Sequence, residues 1–231
     1  AIHACGIGAV FVESRPHPDY CGPQRWHDMD IIIDEAKKRN MKVWILDDSH
    51  FPTGYANGAL KDVSPELHRQ FLYYSSVEVL GPMKSAQLDI TKHAKYVRNP
   101  LNATSIFSLR QNRERRQFDD DTLLSVCAVR IDRGFDTSTL MDITHFVSEG
   151  QLVWDVPAGK WKIYVTYLTR NAGTRENYIN LLNKQSVRKL IEAVYEPHYE
   201  RYKDEFGKTI AGFFSDEPEL GNGEMYVNKA I

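Results

Sequence analysis

The sequence predicts an α/β protein whose parallel sheet, of barrel or doubly wound type, is interrupted by an antiparallel β insertion. Two observations carry the first half of that expectation. Short continuous apolar runs, Ala9-Val10-Phe11-Val12 and Val43-Trp44-Ile45-Leu46, flank a stretch of helical periodicity, and a third run, Ile210-Ala211-Gly212-Phe213-Phe214, follows another. Strands buried on both faces of a parallel sheet read in this unbroken way. The third observation is a change of period between about 76 and 170, where apolar and polar residues alternate.

Each element has a local reason. From Trp26 to Arg39, Trp26, Met29, Ile33 and Ala36 recur at helical spacing, acids precede Lys37, Lys38 and Arg39, and Asn40 is a natural left-handed stop. Strand, helix and strand in so short a span imply a parallel crossover. Ser64-Pro65-Glu66 opens a short helix. In the alternating region Leu152, Trp154 and Val156 pair in expectation with Trp161, Ile163, Val165 and Tyr167 as a hairpin turning at Pro157-Ala158-Gly159, and Leu123 to Ile131 adds a strand. Asn183 caps a long helix with the stripe Val187, Leu190, Ile191, Val194, Tyr195, Tyr199 and Tyr202, in which Pro197 demands a kink or break. The expected domains are 1–75 with 171–231 for the α/β part and 76–170 for an inserted β-sandwich.

Composition narrows the function. With 29 basic against 31 acidic residues in 231, no net field recruits nucleic acid or an anionic membrane, and the basic run Arg110 to Arg116 reads as a solvated face. Three widely spaced cysteines suggest reduced thiols, and no apolar stretch reaches the length of a spanning helix. The default expectation is a soluble cytoplasmic protein. Because the chain opens at Ala1 without a starting Met, an upstream export signal stays open.

Chemistry is expected where apolar strands end, since in parallel architectures the loops there converge on one face. The first run delivers Glu13-Ser14-Arg15-Pro16-His17, the second Asp47-Asp48-Ser49-His50, and the third Ser215-Asp216-Glu217-Pro218-Glu219. Glu13 with Arg15 also suits a plain ion pair, and either aspartate suits a loop tie. Glu217, between a buried strand and Pro218, is the best catalytic candidate, with Asp216 beside it. An acid-lined rim suits glycoside hydrolysis, in which one carboxylic acid protonates the leaving oxygen and a second carboxylate serves as base or nucleophile. Aromatic side chains near the strand ends, Trp26, Phe51 and Tyr55 among them, would stack on sugar rings, whereas Trp44, inside a strand, reads as core.

These three motifs, with Phe51-Pro52-Thr53-Gly54 and Asn177-Tyr178-Ile179-Asn180-Leu181-Leu182-Asn183, together resemble glycoside hydrolase family 106, the α-L-rhamnosidase type. The resemblance implies a (β/α)8 TIM barrel with β-sandwich accessories, inverting hydrolysis by two glutamates, and calcium as a cofactor. Carried over by motif, Glu217 is the general acid, with Asp216 in the same motif, and Glu13, Arg15, Asp47, Asp48 and His50 line a sugar or calcium site; His17 and Trp26 are further candidates for substrate binding. A whole barrel needs roughly 250 residues, and about 135 remain here outside the insertion, so a partial TIM barrel is expected. The second carboxylate is then expected outside this chain, the chain alone is expected to be inactive, and exposed barrel edges would favour self-association. Two other classes compete: a carbohydrate-binding or scaffolding module using the β insertion, and a metal-dependent hydrolase using His17, Asp48 and His50.

Overall fold

A computed structural model of the chain describes residues 1–14, 17–96, 118–172, 175 and 177–219. Arg15 and the basic run 110–116 lie outside the described residues. The chain divides into two compact units, one of Ala1–Arg69 with the described part of Thr174–Met225, the other Gln70–Gly173.

The first unit holds a small parallel sheet, β1 (Ala9–Val12), β2 (Lys42–Leu46) and β8 (Ile210–Phe214), in the order β1-β2-β8. Phe11 lies opposite Trp44 on β1 and β2, and Trp44 opposite Gly212 on β2 and β8. Helix α1 (Pro23–Lys38) buries Met29, Ile33 and Ala36. Asn40 closes it at φ 51, the left-handed conformation that its short polar side chain tolerates. Met29 and Ile33 join Ile45, Tyr202 and Ile210 in one core. The return helix starts on Asn183, whose side chain accepts from the backbone of Gln185 and Ser186. It runs through α3 (Lys184–Leu190), a π-helical turn (Ile191–Tyr195) and α4 (Glu196–Tyr202). The π turn ends two residues before Pro197, which lacks the N–H that a regular ladder needs, so the expected interruption takes the form of a widened turn.

The second unit is a five-stranded antiparallel sheet. Strands β3 (Phe71–Asp89) and β7 (Gln151–Thr169) pair along their whole length, and β4 (Thr122–Arg130), β5 (Asp136–Asp142) and β6 (Val147–Ser148) complete it in the order β3-β7-β4-β5, with β6 on β7. A short helix, α2 (Ile90–His93), follows β3 and is capped by the Asp89 side chain.

Two expectations need correction. The structure is mostly β, with a five-stranded antiparallel sheet in one unit and a small parallel sheet in the other, and it is not a partial TIM barrel. The local strand-helix-strand pattern is present, but such a unit is shared by many architectures, and three strands do not make a barrel wall. The expected sandwich with a hairpin at Pro157-Ala158-Gly159 is instead a single hydrogen-bonded sheet. Those residues form a bulge within one continuous strand: Gly81 faces Gly159 while Met83 faces Val156, so two steps on β3 oppose three on β7. The extra residue flips the inward face. Leu152, Trp154 and Val156 are buried on one side of the bulge, Trp161, Ile163, Val165 and Tyr167 on the other, and all join one core. Trp154 and Trp161 meet edge to face there, with ring centroids 5.7 Å apart. Gly81 is required at the bend because a Cβ would fall 1.9 Å from the Pro157 carbonyl oxygen.

Candidate functional site

Because β1, β2 and β8 are parallel, their C-terminal ends share one rim, and Glu13, Asp47-Asp48 and Ser215–Glu219 lie there. The three acidic ends differ in what their side chains touch.

Both aspartates after β2 are fully buried. Asp48 is wrapped by the loop that follows it. Its Oδ2 accepts from the backbone of Gly54 at 2.8 Å and Ala56 at 2.9 Å, and its Oδ1 from Ser49 at 2.7 Å and Asn57 at 3.0 Å. Ala56 and Asn57 sit at φ 51 and 49, so successive N–H groups curl around the carboxylate as a nest. Asp47 accepts from Thr53 Oγ1 at 2.5 Å, from the Tyr195 hydroxyl at 2.5 Å, and from Ser215 Oγ. The π-helical turn thus supplies Tyr195 to the end of β2. Burial, followed by the hydrogen bond to Asp47, raises the Tyr195 pKa, so its hydroxyl stays a donor.

The segment after β8 is held on both sides of Glu217. Asp216 is half-buried, its N–H donating to Thr53 Oγ1 at 3.0 Å and its carbonyl accepting from Thr53 N at 3.0 Å. Two residues after Glu217, Glu219 receives Arg175 Nε at 2.5 Å and Arg69 Nη1 at 3.0 Å, while its N–H donates to the Tyr178 hydroxyl at 2.9 Å. Tyr178 in turn donates to the Thr53 carbonyl and packs on Gly54, where a Cβ would lie 2.2 Å from its ring. Between these anchors Glu217 is exposed at φ 45, and its carboxylate makes no hydrogen bond or ion pair among the described residues.

The other expected site residues scatter. Glu13 is exposed at the end of β1, its carbonyl accepting from the buried Arg25 at 3.3 Å. His17 Nδ1 accepts from Asp19 N at 3.1 Å, which leaves Nε2 to donate to Asp28 at 3.2 Å. His50 is exposed, 2.9 Å from Ser49 Oγ and against the Tyr55 ring. Trp26 points into the core, edge-on to His198 at 4.9 Å. Trp44 is 41% exposed on the open face of the sheet. Sequence patterns had assigned these two tryptophans the other way round, because helical periodicity and strand hydrophobicity report regular structure and not which face is covered.

Among the described residues no group of three or more His, Cys, Asp or Glu side chains is placed to hold a metal ion. The donor set also argues against calcium on the β2 aspartates. Four N–H groups surround Asp48 and three hydroxyls Asp47, and hydrogens aimed at the carboxylate oxygens repel a cation. Arg69, Arg175 and Tyr195 are site residues that sequence motifs missed, and Thr53 and Tyr178 stood in the quoted motifs without a role. The usable signals were the resemblance segments around Thr53 and Tyr178. No helix among the described residues is long and apolar enough to cross a membrane. Compared with known proteins, the chain matches no family model, and no curated protein and no solved structure matches it.

Proposed function

We propose that this chain carries the acid side of a glycoside-hydrolysing site, with Glu217 as the general acid that protonates the leaving oxygen. One observation carries the reading: Glu217 is the acid on this rim whose carboxylate is exposed and unpaired while the backbone on either side is tied to Thr53, Tyr178, Arg69 and Arg175. A general acid must be held at a fixed point yet keep its proton for the substrate. The resemblance to the α-L-rhamnosidase type supports α-linked deoxysugar glycosides as the substrate class. Glu13 and His50, exposed on the same rim, are assigned to substrate contact, and Asp47 and Asp48 to holding the rim's shape.

The test is Glu217→Gln in the native polypeptide, assayed on glycosides with good and poor leaving groups. Loss of a general acid costs about 10²–10⁴-fold on poor leaving groups and much less on nitrophenolate, which leaves without protonation. Equal rates for mutant and wild type on alkyl glycosides would remove Glu217 from the role.

A further inference from the structure

We infer that Arg25 forms a binding site for a small oxyanion, a carboxylate group or an inorganic phosphate, at the end of β1. The site is defined by the donors that the fold leaves over. Arg25, in the first turn of α1, is 3% exposed. Its Nη1 donates to the Glu13 carbonyl at 3.3 Å, while its Nε and Nη2 have no hydrogen-bond partner among the described residues. Buried polar groups are nearly always paired, and a cation held out of water without a partner is among the most costly groups a fold can carry.

The two unpartnered nitrogens share one edge of the guanidinium. There an N–H of Nη2 runs parallel to the Nε–H, spaced to meet two oxygens of a carboxylate or phosphate. The remaining nitrogen, Nη1, is tied to the strand-end carbonyl, so this edge is held in orientation. A neutral oxygen would answer the hydrogen bonds one at a time, whereas an oxyanion supplies both acceptors and the opposite charge.

The acids near Arg25 are committed elsewhere. Asp28, one turn on, is the carboxylate that acts on it through space, yet Asp28 Oδ2 is paired with His17 Nε2 at 3.2 Å and its side chain is 45% exposed. Asp19 turns to the start of the helix, accepting from Gln24 N at 2.8 Å. Tyr20 offers its ring, 6.0 Å from the Arg25 Cζ, because its hydroxyl donates to the Leu46 carbonyl. His198 registers the surplus charge: after burial itself, the Arg25 cation lowers its pKa. Burial limits the ligand to a group the size of a carboxylate or phosphate, carried by a substrate or free in solution. The site is on the rim that bears Glu217, but binding there does not depend on hydrolysis.

The test is calorimetric titration of the native polypeptide with sodium phosphate and, separately, with sodium D-glucuronate, at constant ionic strength. Saturable binding of one anion per chain is expected, with a Tm that rises as the anion concentration passes its Kd. Arg25→Gln should weaken binding by about tenfold or more. Arg25→Lys, which keeps the charge but loses the paired donors, should weaken it by a similar factor. The Arg25 Nε–H resonance of the wild type should shift on saturation, a readout that requires no variant to fold. Tighter binding of glucuronate identifies a carboxylate carried by the substrate as the ligand, and tighter binding of phosphate a free inorganic anion; either upholds the site. No saturable binding of either anion, binding undiminished by both substitutions, or an Arg25 Nε–H resonance that does not move overturns the inference, the two nitrogens then being served by buried water.

Discussion

Adjacent strands β2 and β8 both end in carboxylates, and the two ends have opposite characters. Asp47 and Asp48 are buried and saturated by seven hydrogen-bond donors named above, while Glu217 is exposed with no partner among the described residues. Residue type and strand-end position are shared, so neither distinguishes a structural acid from a chemical one. The number of donors already committed is the difference on which the proposed assignment rests.

The comparison breaks most visibly at Asp48. Replacing it with Ala strands the backbone N–H groups of Ser49, Gly54, Ala56 and Asn57 and leaves the left-handed residues Ala56 and Asn57 without the anion that organises them. Buried unsatisfied donors cost about 1–3 kcal/mol each when water cannot reach them. Partial relaxation of the loop brings the expected loss to about 4 kcal/mol, read from urea unfolding. A loss under about 1 kcal/mol would show that the loop holds itself and that Asp48 is available for another task.

Acid titration separates the rim from the helix behind it. His198 is fully buried, donates from Nδ1 to the Val194 carbonyl at 2.7 Å, and packs among Tyr20, Trp26 and Phe213. Burial, assisted by the nearby Arg25 cation, lowers its pKa to about 4. The neighbouring Cys21 thiol is pushed up to about 12 by burial, and burial also raises Tyr20, so neither titrates in the same range. Between pH 6.5 and 4 the unfolded chain binds a proton that the folded chain refuses. Stability from this group is therefore complete above about pH 6.5 and falls by about 3 kcal/mol as the pH drops to 4. His198→Gln should flatten that part of the stability profile. An unchanged slope would assign the acid sensitivity to groups other than His198.

How much of this was legible in the sequence depends on the range of the interaction. The runs that became β1, β2 and β8, the left-handed stop at Asn40 and the cap at Asn183 were readable because each is decided within a few residues. The barrel was not a sound extension of them, because sheet closure depends on strands far apart in the chain. Pro157-Ala158-Gly159 was visible as a break in the pattern, but turns and bulges use the same residues, and only the partner strand decides between them. At the site, the acidic motifs were plain and their roles were not. Arg69 and Arg175 reach Glu219 across 150 and 44 residues respectively, and Tyr195 reaches Asp47 across 148, separations that no local pattern records.

The smallest expected effect is the sharpest test of the contrast. Glu217 sits at φ 45, a region in which a side chain meets its own backbone and glycine does not. Glu217→Gly should therefore stabilise the fold by about 0.5–1 kcal/mol, because relief of the left-handed strain outweighs the extra freedom of the unfolded chain. In the full native polypeptide the same substitution should abolish turnover of alkyl glycosides, since it removes the proposed acid. A rise in Tm with loss of activity would mean that the position carries a glutamate at a cost to stability, as expected where strain is retained for function. A fall in Tm would instead place the Glu217 side chain among the groups that hold the rim together, like Asp47 and Asp48, and erase the difference between the two strand ends.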